Sequence, residues 1–331
     1  MEPLRILIAE SGGFAPQALQ RLQSVGEVRL ADLGEDELRA QVPPFHILWV
    51  RLKNRIGRQI IDAAPSLKAV ATPTTGLNHL DLELLTARGI RVFSLRGETD
   101  FLSNIRATAE HTLGLMLALM RHVPAACRSV CEGAWDRDLF RGSELFEKTV
   151  GLVGYGRLGK LVARYCQSLG CKILATDPNV HEADSFVELT TFQDLLSRSD
   201  IVSLHVNLTE QTTAFFGLEE FQHMKPGSLF VNTARGELID EVALLRNLES
   251  GKLAGAALDV LKDEQAGGFA SRPLIEFAKQ HTNLLITPHI GGCTGESMAK
   301  TEVFLAEKLA AAFPKIDPTR ILASARTETG R

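Results

Sequence analysis

Aromatic side chains are scarce in this chain of 331 residues, at 6%, while glycine is frequent at 27. That balance suits helices packed closely on a buried sheet through small and aliphatic side chains. A basic excess is also missing: the formal net charge is -4. This argues against a surface built for nucleic acid or for an anionic membrane. Cysteine is sparse and unpatterned. Cys127, Cys131, Cys166, Cys171 and Cys293 form no C-x-x-C and are odd in number. A disulfide framework or a zinc site is therefore not expected, no metal is expected, and reduced thiols in the cytoplasm are the simpler reading. Long apolar runs are absent. The longest, Leu113–Met120, is too short to span a bilayer, and no signal-peptide pattern precedes the strand-like run Arg5–Ala9.

The chain has instead a steady alternation of short apolar runs and helical patterns. Ile6–Ala9, Ile47–Val50, Ala69–Ala71 and Val92–Phe93 read as buried strands, with helices at Gln17–Ser24, Glu35–Ala40, Arg58–Ala63 and Leu82–Ala87. After Lys148 a second series follows. Its strands are Val150–Gly154, Lys172–Thr176, Ile201–His205, Leu229–Asn232, Ala256–Val260 and Leu284–Thr287. Helices are expected between them at Leu158–Leu169, Phe192–Ser197, Leu218–Met224, Glu241–Ser250 and Pro273–Lys279. Such alternation predicts parallel sheets covered by helices, in two domains given the length. Helical patterns at Ser103–Met120 and Gly295–Ala312 are candidates for crossing between the domains. The polar end, Thr327–Arg331, is expected to fray.

The second series opens on an apolar strand running into Gly154-Tyr155-Gly156-Arg157-Leu158-Gly159, a G-x-G-x-x-G. Gly154 permits the tight turn, Gly156 lets the backbone approach a pyrophosphate, and Gly159 lets the helix pack on the strand. The helix N-terminus adds free N–H groups and a positive partial charge. Alone the motif is weak, since glycines also serve turns that bind nothing. Its weight comes from the strand before it, the helix after it, and Asp177 ending the next strand. An acid there would bond ribose hydroxyls and repel a 2′-phosphate, which favours NAD over NADP. A turn residue before Pro178 is the plainer account of Asp177.

Three later segments place polar residues where apolar strands end. Arg235 follows Phe230–Ala234, where its fork could hold a carboxylate by two charge-assisted bonds, although a surface ion pair is the commoner fate of an Arg. Asp259 sits at the end of the run Ala256–Val260, and a buried carboxylate there needs partners; Glu264 follows in a charged turn. His289 lies after a strand and before Gly291 and Gly292, with room for a substrate. Any one His taken alone is more often structural than catalytic.

Together these segments resemble the D-isomer-specific 2-hydroxyacid dehydrogenase family over nearly the whole chain. The matching motifs, in order, are the G-x-G-x-x-G, Asn232-Thr233-Ala234-Arg235-Gly236, Asp259-Val260-x-x-x-Glu264 and Thr287-Pro288-His289-Ile290-Gly291-Gly292. Ala109-Glu110-His111-Thr112, Asn104, Arg51, Trp135 and Phe140–Leu145 look most like the phosphoglycerate dehydrogenase branch. A C-terminal regulatory domain, common in that branch, is not expected here.

The resemblance implies an NAD-dependent enzyme moving hydride between nicotinamide and a small D-2-hydroxy acid or 2-keto acid, such as 3-phosphoglycerate. It implies two Rossmann- or flavodoxin-like doubly wound α/β domains with a cleft between them. Residues 1–101 and 292–331 would form the substrate domain, and 102–291 the NAD-binding domain. Arg235 would bind the substrate carboxylate, His289 would be the acid/base, and Glu264 its partner. Imidazole suits proton transfer near neutral pH, and a carboxylate beside it would steady imidazolium and fix the ring.

For the cofactor, the resemblance points to Gly154, Tyr155, Gly156, Arg157, Leu158, Gly159, Asp177, His205, Val206, Thr233, Ala234, Asp259, Gly291 and Gly292. For the substrate it points to Arg51, Thr75, Gly76 and Asn104. A phosphorylated substrate would need a basic cluster, and Arg51, Lys53 and Arg55 with Arg96 are candidates, though a solvated loop explains them equally well. The Trp135 region resembles the arm through which relatives form homodimers. The rival reading is an NAD(H)-responsive corepressor on the same fold. A formate dehydrogenase is disfavoured by Glu264, because those enzymes carry Gln there and remove no proton.

Overall fold

The computed structural model describes residues 3–264 and 268–313, so the frayed end expected at Thr327–Arg331 lies outside the described residues. The chain divides into two compact units. Unit 1 joins the residues up to Glu98 to the segment from Gly295, and unit 2 is Thr99–Thr294.

Unit 1 is a parallel sheet of β1 (Leu4–Ile8), β2 (Gly26–Leu30), β3 (Ile47–Trp49), β4 (Ala69–Ala71) and β5 (Arg91–Phe93), in the order β2-β1-β3-β4-β5. Helices α1 (Pro16–Gln23), α2 (Glu35–Gln41), α3 (Arg58–Asp62) and α4 (Leu82–Ala87) join the strands, and α13 (Gly295–Ala312) returns to this unit. Strand alternation sends Ile6 and Ile8 to one face and Leu7 to the other, so each face grows its own core. Leu305 and Leu309 of α13 are fully buried beside Ile6, Ile8 and Trp49. At about 1.5–3 kcal/mol per buried aliphatic side chain, those two suffice to anchor the returning helix.

Unit 2 opens with α5 (Thr99–Leu102), α6 (Ala107–Met120) and α7 (Val123–Cys131). Its seven parallel strands are β6 (Thr149–Val153), β7 (Lys172–Thr176), β8 (Val187–Leu189), β9 (Ile201–Leu204), β10 (Ser228–Asn232), β11 (Leu253–Leu258) and β12 (Leu284–Ile286). The order β12-β11-β10-β9-β6-β7-β8 reverses between β6 and β9, as in a doubly wound dinucleotide fold. Between the strands run α8 (Arg157–Ser168), α9 (Phe192–Arg198), α10 (Leu218–His223), α11 (Glu241–Glu249) and α12 (Pro273–Gln280). Side-chain caps set several helix starts. Thr191 accepts the Asp194 N–H ahead of α9, and Asp240 accepts the Val242 and Ala243 N–H groups ahead of α11.

The parallel α/β architecture expected from the alternation is present in both units. Among the strands and α-helices, β2, β8, α5 (Thr99–Leu102) and α7 were not foreseen. Strand β2 is largely exposed and β8 is a three-residue edge, so neither carries the apolar run that marks an interior strand. Helix α7 has no buried residue at all. The strand expected at Ala256–Val260 is shifted: β11 is Leu253–Leu258, and beyond it the Asp259 carboxylate serves the following loop.

Candidate functional site

The G-x-G-x-x-G joins β6 to α8. Gly154 has φ of +96°, and a Cβ there would lie 2.6 Å from the His205 carbonyl oxygen. A Cβ on Gly159 would lie 2.2 Å from the Gly154 carbonyl oxygen. Both glycines are thus demanded by the fold. Gly156, the N-cap of α8, is different: a Cβ there would meet nothing within 4 Å. The protein leaves that place open at a helix N-terminus whose first turn has no acidic residue. An approaching pyrophosphate fits there, with the backbone N–H groups of Arg157 and Leu158 opening the helix.

The Arg157 side chain turns inward. Its Nη1 donates to the carbonyls of Leu102 (3.1 Å) and Ile105 (2.9 Å), and burial lowers its pKa from the ordinary value. Asp177 stands just past β7. One carboxylate oxygen accepts the Tyr155 N–H and the other the Asn179 N–H, both at 2.9 Å. Each oxygen keeps a lone pair for a ribose hydroxyl. The buried Tyr155 donates its hydroxyl to Asp184 at 2.8 Å, and desolvation with that carboxylate pushes the phenol up to about 12. His205 and Val206 follow β9. Desolvation pushes the His205 imidazole down to about 4, so it is neutral, and its Nε2 meets the Ser203 hydroxyl at 3.0 Å.

The later strand ends bring further residues to the same edge of the sheet. After β10, Asn232 pins the loop: its Nδ2 donates to the Arg235 carbonyl (2.8 Å) and its Oδ1 accepts the Ala234 N–H (3.0 Å). Thr233 meets Thr112 of α6, hydroxyl to hydroxyl, at 2.8 Å. Arg235 is half-buried and donates one bond to the Ala234 carbonyl at 2.6 Å. Gly236 lets this loop press on the turn that carries Glu264, since a Cβ on it would sit 2.0 Å from the Leu261 carbonyl carbon. The turn is braced from outside, Glu241 accepting the Lys262 N–H and Arg272 donating to the Lys262 and Asp263 carbonyls.

His289 follows β12, and its Nδ1 lies 2.6 Å from Oε1 of Glu264. Its backbone has φ of +53°, rare for a residue with a Cβ, and is held there by its N–H bonding to the Asp259 carbonyl (2.8 Å). The Asp259 carboxylate, 1% exposed, holds the rest of that loop. One oxygen accepts from Thr287 Oγ1 (2.6 Å) and the Ile290 N–H (2.8 Å), the other from the Gly291 N–H (2.7 Å). These bonds and His111 Nε2, 3.2 Å away, lower its pKa against the desolvation that would raise it.

Asp259 was expected from the resemblance beside the cofactor; its carboxylate is engaged inside the protein, as the organiser of the His289 loop. His111 and Thr287 share that task; both lie in motifs quoted for the resemblance, which gave them no role of their own. A buried acid at a strand end, in need of partners, was the signal that pointed towards such a role.

In unit 1, Thr75 and Gly76 follow β4, where Thr74 Oγ1 donates to the Gly76 carbonyl at 2.8 Å. Asn104, exposed, follows α5 and belongs to unit 2. Arg51 follows β3 but does not present an open fork. Its Nε (3.0 Å) and Nη2 (2.5 Å) donate to Glu302, and its Nη1 donates to the Gly12 carbonyl (2.7 Å). Glu302, on α13, had no motif to mark it. Among the described residues no group of three His, Cys, Asp or Glu could hold a metal ion, and no helix is long and apolar enough to cross a membrane.

This arrangement can hold a dinucleotide on one loop and move a proton at His289 on another. Residues 113–291 match the family model described as D-isomer specific 2-hydroxyacid dehydrogenase, NAD binding domain. The chain is 38% identical over 308 residues to a D-3-phosphoglycerate dehydrogenase of Mycobacterium tuberculosis, covering 92% of this chain and 56% of that protein. It thus spans about half the length of such relatives. It is 38% identical over 283 residues to a hydroxypyruvate reductase of Thermotoga maritima, covering 86% of this chain and 90% of that one. Among solved structures it is similar to an NAD-dependent formate dehydrogenase from Staphylococcus aureus in complex with NAD. That likeness has a TM-score of 0.81 and 26% identity, over 94% of this chain and 96% of that one.

Proposed function

The chain belongs to the D-isomer-specific 2-hydroxyacid dehydrogenase family, and from that premise we propose that it interconverts a small D-2-hydroxy acid and its 2-keto acid with NAD. The observation that carries this reading is the His289–Glu264 pair at 2.6 Å on a loop that Asp259 forces into a rare backbone conformation. With Nδ1 turned to the carboxylate, His289 offers Nε2 for exchanging a proton with the C2 oxygen. Glu264 fixes the ring and favours imidazolium when that proton arrives. Arg235, cationic at any working pH, would clamp the substrate carboxylate. Gly156, the first turn of α8 and Asp177 would hold the dinucleotide. Bound NAD would supply the hydride acceptor. A Glu rather than a neutral side chain beside the His fits a reaction in which a proton must be removed.

The test is loss of the reduced-nicotinamide absorbance with NADH and a panel of 2-keto acids. Turnover with one or more supports the reading. NADH binding without any turnover would favour the corepressor-like alternative.

A second copy of the chain is the partner proposed for the arm after α6. Trp135 is 89% exposed there, with Leu139, Val130 and Phe146 also open to solvent. Trp135→Glu should convert a dimer to a monomer in light scattering; a wild-type monomer would remove the proposal. The five free thiols suit a reducing, cytoplasmic setting.

A further inference from the structure

The sheet of unit 1 reverses its strand order at β1 and β3. Open α/β sheets receive ligands beyond the carboxyl ends of such a pair. Here those ends are filled from within. Glu10, 5% exposed, follows β1. Its carboxylate accepts the backbone N–H groups of Arg51 (3.0 Å), Lys53 (3.2 Å) and Asn54 (3.0 Å), and the Asn54 side-chain amide (3.0 Å). Converging backbone amides of this kind are what a nest offers to a phosphate.

Glu302, 1% exposed, reaches in from α13 and accepts the Ala15 N–H at the start of α1 (2.8 Å), again the place of an anion at a helix N-terminus. Its other oxygen takes Nε and Nη2 of Arg51. Lys53 in turn pairs with Asp32 at 3.2 Å. Three carboxylates, Glu10, Glu302 and Asp32, thus face two cations, Arg51 and Lys53. The Arg51 guanidinium and the converging backbone amides are thus already bonded to the protein's own groups, and the three acids outnumber Arg51 and Lys53.

We propose that this crevice is built to refuse a phosphate, and that the substrate is an unphosphorylated 2-hydroxy or 2-keto acid. Glu302 is the residue that decides this, by holding Arg51. The inference rests on the activity proposed above and narrows its substrate class.

The test compares hydroxypyruvate with its 3-phosphate ester, using NADH and the full chain. In wild type, kcat/KM for hydroxypyruvate should exceed that for the ester by about tenfold or more. Glu302→Gln, which keeps a hydrogen-bond acceptor but removes a charge, should narrow that ratio. Arg51→Ala should lower the melting temperature and shift both substrates by a similar factor. Preference for the ester in wild type overturns the proposal. So does a rise in KM confined to the ester in Arg51→Ala or in Arg55→Ala, Arg55 being the exposed guanidinium nearby in sequence.

Calorimetry on the NAD-loaded wild type, whose oxidised cofactor has no hydride to give a keto acid, needs neither a variant nor turnover. Binding of the ester no tighter than that of hydroxypyruvate supports the proposal, and clearly tighter binding sinks it. Absence of turnover with every keto acid would instead fell the activity reading, with the calorimetry still deciding the phosphate.

Discussion

After β6, in the seven-stranded sheet, Gly156 leaves a place where a Cβ would touch nothing, and the first turn of α8 has no acid in it. After β1, in the five-stranded sheet, the corresponding place holds Glu10, and Glu302 covers the start of α1. Both sheets are parallel and doubly wound, and both reverse strand order at this point. Topology therefore creates the anion-binding position in each, and side chains decide whether it is left for a ligand or closed. One unit keeps it for a dinucleotide. The other has supplied its own anions, Glu10 and Glu302.

The sharpest test of the open side is the separation of chemistry from cofactor binding. His289→Ala should lower kcat by about 10²- to 10⁴-fold, the usual contribution of general acid–base catalysis. NAD affinity, measured by calorimetry, should stay within about twofold, since the loop after β6 is a separate segment. Loss of NAD binding in that variant would break the contrast between the two loops.

The glycines sharpen it further. Gly156→Ala should fold with an unchanged melting temperature yet bind NAD about tenfold more weakly, because the added methyl enters the open place. Gly159→Ala should lose stability by about 1–3 kcal/mol, because its methyl meets the Gly154 backbone. Equal melting temperatures for the two variants would show that the open place is not special. At Asp177, alanine should narrow a preference for NAD over NADP that is about tenfold or more in wild type, roughly 1.4 kcal/mol in transition-state terms. An unchanged ratio would mean that another residue reads the ribose.

A further expected effect is on the pH dependence of stability. His205 is held at about 4, below the ordinary 6.5, so the unfolded chain takes up a proton between those values that the folded one refuses. Its contribution should be intact above pH 6.5 and lost progressively as pH falls towards 4. The urea midpoint of wild type should drop across that window more than that of His205→Gln. Parallel curves would show that His205 is not desolvated in the fold.

Much of the seven-stranded sheet was legible beforehand, because its interior strands are buried on both faces and read as continuous apolar runs. Lys172–Thr176 was placed to the residue. The edges were not legible: in Gly26–Leu30 and Val187–Leu189 one side faces solvent, and the pattern fades. Helix α7 was missed for the same reason, having no buried side to create a period. In the candidate site, Glu264 and His289 were marked by the family resemblance, since an acid in a charged turn can simply be solvated and a lone His is more often structural. That they meet at 2.6 Å across 25 positions is a property of neighbouring strand ends.

The sequence by itself determined the strand–helix alternation, the G-x-G-x-x-G and the acid ending β7, because each is written within one turn or one strand. Tertiary structure decided who holds whom. Arg51 meets Glu302 across 251 positions, and Asp259 reaches Gly291 across 32. A charged side chain carries no mark of whether its partner will be a ligand or another residue of its own chain. Only the packing that removes water from both, and leaves each needing the other, makes that choice.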